Sequence, residues 1–163
     1  MAMADNYLKI EGVTGESDDD KHPNEIVVSS WSWGANHSGS AQSQVGKGGG
    51  SGRVVVRDLQ ITKAMDKSSP VIAQSCASHK HFPTATLTSR VQGETPLEYL
   101  VLTLSDVVIS SYHVNGHEGG GKPTENVTLS FGKYTTDYTP QNADGSGGAK
   151  VHGGWDVQAN KSA

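Results

Sequence analysis

The clearest alternation of apolar and polar positions lies between Thr124 and Gln141. Val127, Leu129 and Phe131 are apolar, and Asn126, Thr128 and Ser130 between them are polar. Successive strand side chains point to opposite faces, so this stretch predicts a strand with one face on a core. Gly132 interrupts the pattern, and Tyr134, Thr136 and Tyr138 continue on the other parity. A glycine at a parity change predicts a bulge or bend, with the strand shared by two sheets.

Similar signals recur along the chain. Tyr7 to Glu11 reads as a short strand, and Val13 to Asn24 as a polar loop. Glu25 to Gly34 predicts a second strand with Trp31 and Trp33 on one face. Ala35 to Gly52 is small, polar and glycine-rich, and reads as a long loop, densest in glycine over 39–52. Arg53 to Lys63, Phe82 to Val91, Leu97 to Val114 and Trp155 to Ala159 read as further strands. Ser105-Asp106 marks a bend between two halves of the long one, and Asn142 to Gly154 is a glycine-rich loop. One helix is expected, with Ser69 as N-cap, Pro70 first in the helix and an end near Ser78. So short a helix must dock on a sheet. Val71, Ile72 and Cys76 are its expected packing residues. The fold class is therefore mainly β, a two-sheet barrel or sandwich with one short flanking helix.

Composition narrows the function. With 163 residues and a net charge of −4, a single domain at 1–163 is expected. The 13 basic residues are scattered and form no stripe for nucleic acid. No run approaches the ~20 apolar residues of a membrane helix. The N-terminus lacks the basic-then-apolar pattern of a secretory signal. Folding in a cytosol is expected, and any export takes a route that reads no signal peptide. One cysteine, Cys76, excludes an internal disulfide.

Candidate chemistry is sparse. Asp18-Asp19-Asp20 lacks the alternate spacing of a calcium loop and reads as a solvated turn. Gly46-Lys47-Gly48-Gly49-Gly50 resembles a phosphate loop at first sight. Lys47 is followed by glycine rather than Ser or Thr, and a strand pattern follows instead of a helix. Cys76, His79 and His81 could supply three zinc ligands, but no second cysteine completes a site. Trp31, Trp33 and Trp155 could form a stacking platform in a monomeric ligand-binding barrel, though tryptophan pairs more often fill a core. No credible nucleophile and base adjoin. No catalytic residue, metal or cofactor is expected.

The blocks GES, KHPNEIVVSSWSWG, ITKAMDKSSPVIAQSCASHKHFP, EYLVLTLSDVVISS, PTENVTLSFGKYTTDYTPQ and GWDVQANK occur in this order between about Tyr7 and Lys161. Together they resemble the hemolysin-coregulated protein, Hcp, family of type VI secretion systems. The resemblance implies a structural protein. Six subunits would close into a homohexameric ring around a wide channel, and stacked rings would form the inner tube of a contractile injection machine. Partners would be a VgrG-type spike, sheath and baseplate proteins, and effector proteins carried in the channel. The protein would be made in the bacterial cytoplasm and delivered outside without a signal peptide. The segment Gly46, Lys47, Gly48, Gly49 and Gly50 would contact the next ring, with Lys47 facing an acidic patch. The chain stops at Ala163, just after the family's last strand, so no fused toxin is expected.

Overall fold

The computed structural model describes residues 4–37 and 54–163. The elements are β1 (Ala4–Ile10), β2 (Ile26–Val28), β3 (Ser30–Ser32), β4 (Ala35–His37), β5 (Val54–Val56), β6 (Leu59–Ala64), α1 (Ser69–Ser78), β7 (His81–Val91), β8 (Leu97–Asn115), β9 (Thr124–Tyr138), β10 (Val151–Asp156) and β11 (Lys161–Ser162). Their main sheet runs β11-β10-β9-β8-β7-β1-β2, all antiparallel, with β6 joining β9 and β3 joining β6. A small second sheet pairs β4 with β5. The strands curl so that Ser29 N–H donates to the Thr62 carbonyl at 2.8 Å. No ladder joins β2 to β6, so the architecture is a sandwich rather than a closed barrel.

The long hairpin β8–β9 is the frame. β9 keeps β8 on one side along its length. On its other side it pairs β6 through 124–129, then β10 through 133–138. Gly132 sits between these partners, opposite Asp106, which adopts a positive φ of 54°. The register passes through this point unbroken, and the shift occurs instead between Ile109 and Ser111. The expected bend at Ser105-Asp106 is thus a left-handed residue within one continuous strand. The core is built from inward positions including Leu8, Ile26, Leu59, Ile61, Leu87, Leu104, Val127 and Leu129, each 1% exposed or less.

Several expected boundaries move. The stretch 25–34 is not one strand, because the chain leaves β1 after Val28 and joins β6 from Ser30. Ala35–His37 is a strand rather than loop. The stretch 54–63 breaks at Arg57-Asp58, where the chain passes from one sheet to the other. The last long strand starts at Val151, within the expected glycine-rich loop. Gly154 belongs in it because a Cβ there would lie 2.7 Å from the Tyr134 carbonyl oxygen. The helix starts at Ser69, with Ser68 at the N-cap and no side-chain cap. The Ser69 hydroxyl is engaged inward instead. Ile72 is fully buried and Cys76 is half-buried against the core. Val71 departs from its expected packing role. It is 40% exposed, because Ser69, Ile72 and Ser75 occupy the inward stripe.

Candidate assembly surfaces

Alternation across four paired strands, β3, β6, β9 and β8, makes the most distinctive surface. The register aligns Ser30 with Thr62, Asn126 and His113 in one row. It aligns Ser32 with Gln60, Thr128 and Ser111 in the next. Between these rows lies Trp31–Ile61–Val127–Tyr112, whose side chains point to the other side and meet the core. The polar rows contain no Lys, Arg, Asp or Glu. Thr62 Oγ1 donates to Asn126 Oδ1 at 3.0 Å across them. A shallow groove of about 280 Å³ runs over Ser30, Ser32, Gln60, Thr62, Asn126 and Thr128. This face can exchange hydrogen bonds with many surfaces while selecting none by charge.

Two charged networks hold the additions to this frame in place. The first is buried. Lys63 and Glu125 face each other across β6 and β9 and are both 0% exposed. Lys63 Nζ donates to Glu125 Oε2, to Asp66 Oδ1 at 3.0 Å and to Ser69 Oγ at 3.1 Å. Ser69 Oγ donates to Glu125 Oε2 at 2.9 Å, and the Tyr112 hydroxyl donates to Glu125 Oε1. Burial and the Glu125 carboxylate push the Tyr112 phenol up to about 12. Ser69 and Asp66 tie the start of α1 to the sheet.

The second network lies nearer the surface. Arg90 Nη2 donates to Asp19 Oδ2 at 2.6 Å, to Tyr7 Oη at 3.1 Å and to Asp5 Oδ2 at 3.3 Å. Its Nη1 donates to Asp19 Oδ1 at 3.0 Å. The Arg90 hydrogen bonds hold the Asp19 carboxyl well below the usual carboxylate range, and the backbone N–H groups of Lys21 and His22 add to this. Asp19 also raises Arg90 further above its ordinary range. The network pins the loop between β1 and β2 onto the sheet. Gly15 lies where that loop folds back, and a Cβ there would be 2.4 Å from the Glu25 carbonyl oxygen.

These networks correct one expectation. The acidic run is not uniformly solvated, since Asp19 is a structural hub while Asp18 and Asp20 are exposed. Lys63 and Glu125 were detectable. Each continues the inward parity of its strand, after Leu59 and Ile61 or before Val127 and Leu129. Arg90 had no such signal, because it follows the parity of Thr86 and Thr88, opposite to Leu87 and Ser89, and is buried only by the loop that carries Asp19.

The other sequence candidates do not converge on one centre. Gly46, Lys47, Gly48, Gly49 and Gly50 lie outside the described residues. His79 and His81 pack edge to face at 5.2 Å, and His81 Nδ1 lies 3.2 Å from Asp106 Oδ1. No group of three metal-binding side chains occurs among the described residues. Trp31 Nε1 donates to Asn6 Oδ1 at 3.1 Å, while Trp33 packs edge-on against Tyr134 at 4.7 Å. Trp155 pairs with Tyr134 across β9 and β10. The three rings are half-buried supports. Among the described residues, no helix is long and apolar enough to cross a membrane.

Comparison with known proteins decides what this scaffold is. The family model described as "Type VI secretion system effector, Hcp" matches residues 7–138. This chain belongs to the Hcp family. It is 47% identical to protein hcp1 of Pseudomonas aeruginosa over 158 residues, covering 96% of each chain. The crystal structure of Hcp1 from Salmonella typhimurium is similar with a TM-score of 0.80 and 36% identity, covering 100% of both chains. A solved type six secretion system protein gives a TM-score of 0.91 at 31% identity, covering 99% of this chain and 100% of that one. Membership in the Hcp family places the chain among secreted proteins of type VI secretion.

Proposed function

We propose that the chain is the structural subunit of a type VI inner tube. Six copies close into a ring, and rings stack head to tail beneath a VgrG-type spike within sheath and baseplate. The polar rows through Ser30–Asn126 and Ser32–Thr128 line the channel. The observation that supports this best is that face itself, an outward sheet surface whose paired rows carry no Lys, Arg, Asp or Glu, on a fold similar to Hcp structures along their whole length. A channel wall for varied effector proteins needs adaptable donors and acceptors and no strong field. A head-to-tail ring also needs two unlike edges on each subunit. The sheet offers them, with β2 at one end and β10–β11 at the other.

Gly46, Lys47, Gly48, Gly49 and Gly50 keep their proposed part in ring stacking. No chemistry is assigned, so Cys76→Ser is expected to leave secretion nearly intact. Size-exclusion chromatography with light scattering and negative-stain microscopy test the reading. Closed rings of six are expected, and a monomer at every concentration would overturn it. Replacing 45–50 by a short turn should leave rings that neither stack nor support secretion.

A further inference from the structure

One cluster has no part in the assembly reading. His22 lies in the loop before β2 and is 7% exposed. Its Nδ1 is 2.6 Å from Glu25 Oε2 and its Nε2 is 2.7 Å from Glu98 Oε1. Its ring stacks on Tyr7, with 4.5 Å between centroids and 9° between planes. The backbone N–H of His22 donates to Asp19 Oδ1 at 3.1 Å.

The donor count of these groups sets a condition. A neutral imidazole has one N–H and one lone pair, and an ionised carboxylate only accepts. At such separations a lone pair against a carboxylate oxygen repels. Both contacts are hydrogen bonds only when both ring nitrogens carry hydrogen. The neighbouring charges do not remove this need. Arg90 of β7 lies over Tyr7 of β1 and is engaged by Asp19 and Asp5. Lys21, on the same loop, gives its backbone N–H to Asp19. Among the described residues, His22 is the side chain bonded between Glu25 and Glu98.

We infer that His22 is a proton-held clasp that ties the 12–25 loop to the start of β8. Raising the pH removes one proton and opens one arm. The arm that opens is Glu98. It is 43% exposed and stands on another element, whereas Glu25 is 11% exposed and three residues away. Neutral His22 keeps Nδ1–H on Glu25 and leaves its Nε2 lone pair toward Glu98, whose carboxylate turns to water. The loop and the start of β8 then separate locally while the sheet stays folded.

The test is amide hydrogen exchange on the full-length protein, expressed as protection factors, from about pH 5.5 to about pH 9. Residues 16–25 and 97–99 should lose protection about tenfold as pH rises, with the centre of β8–β9 unchanged. Nitrogen resonances of labelled histidine should show both His22 ring nitrogens protonated at the acid end. Glu98→Gln supplies an amide N–H to the Nε2 lone pair, so it should stay protected throughout. His22→Gln should show no pH dependence at these residues. If that variant does not fold, Glu98→Gln carries the test alone. A single ring N–H across the whole range with constant protection would overturn the clasp. So would Glu98→Gln losing protection as the wild type does.

Discussion

The buried cluster around Glu125 and the shallower one around Arg90 do the same mechanical job in different surroundings. Each fastens an added segment to the sheet, α1 in one case and the 12–25 loop in the other. Lys63 and Glu125 are wholly removed from water, so every donor and acceptor must be matched inside the protein. Arg90 is 9% exposed, and its partners Asp5 and Asp19 are 27% and 22% exposed. Water can replace part of what those carboxylates lose. The number of bonds is similar, so burial should decide what each network is worth.

The largest effect is expected from Glu125→Ala. It leaves Lys63 charged and unpaired in the core, with the Ser69 and Tyr112 hydroxyls short of an acceptor. Removing one partner of a buried pair costs about 3–5 kcal/mol. Chemical denaturation should show this as a lower midpoint. Lys63→Met with Glu125→Leu should recover much of the loss, because two well-packed apolar groups need no partner. Recovery should be incomplete until Tyr112→Phe is added, since the phenol would otherwise stay buried without its acceptor. A Glu125→Ala variant as stable as wild type would contradict the burial argument.

Arg90→Ala comes next, with an expected loss of about 1.5–3 kcal/mol from charge-assisted hydrogen bonds. Its damage should be local. Limited proteolysis should cut the 12–25 loop while the sheet persists, whereas Glu125→Ala should loosen α1 together with β6 and β9. Arg90→Lys should restore little, because an ammonium cannot reach Asp19 with two parallel N–H groups.

The two networks also differ in how far they could be read before the structure was known. Strand parity carries Lys63 and Glu125 to the core, and the same parity places the polar rows of β3, β6 and β9 together outside. That regularity is why the strands and the class of fold were legible, while Pro70 at its first turn marked the helix. Two kinds of feature were not. A change of partner strand after Val28 and a change of sheet at Arg57-Asp58 split runs that look continuous, because hydropathy does not say which neighbour a strand pairs with. Arg90 and His22 depend on a loop that folds back through backbone contacts at Gly15 and Asn24. Local periodicity does not encode such contacts. Val71 failed for a smaller reason, since Ser69 and Ser75 displace it from the inward stripe despite being polar.

Acid should separate the networks further. Asp19 is held below the usual carboxylate range when folded. Its contribution is therefore complete above about pH 4, and it declines as pH falls below that toward the lower folded value. Asp19→Asn should remove this part of the acid sensitivity and lower stability at neutral pH. Melting curves of both proteins should converge as the pH falls. Parallel curves would show that Asp19 does not supply the pH dependence.

The smallest effect belongs to a pair that fastens nothing. His152 Nδ1 lies 2.8 Å from Asp137 Oδ1, with side chains 53% and 24% exposed. Asp137 raises the His152 titration above its ordinary range. The sign is opposite to that of Asp19. Any stabilisation is full below the ordinary histidine range near pH 6.5 and is lost as pH rises through the higher folded value. β10 is already held to β9 by a ladder from Val151 to Asp156, which does not depend on this charge. Exposed pairs lose most of their attraction to water and salt. Asp137→Asn should therefore leave the melting temperature within error of wild type at both about pH 5.5 and about pH 8.5. If it shifts stability as far as Asp19→Asn does, burial is not what separates these clusters. The controlling variable would then be the bond to a neighbouring strand, and Arg90 and Glu125 would have to be compared again by what they touch rather than by how deep they lie.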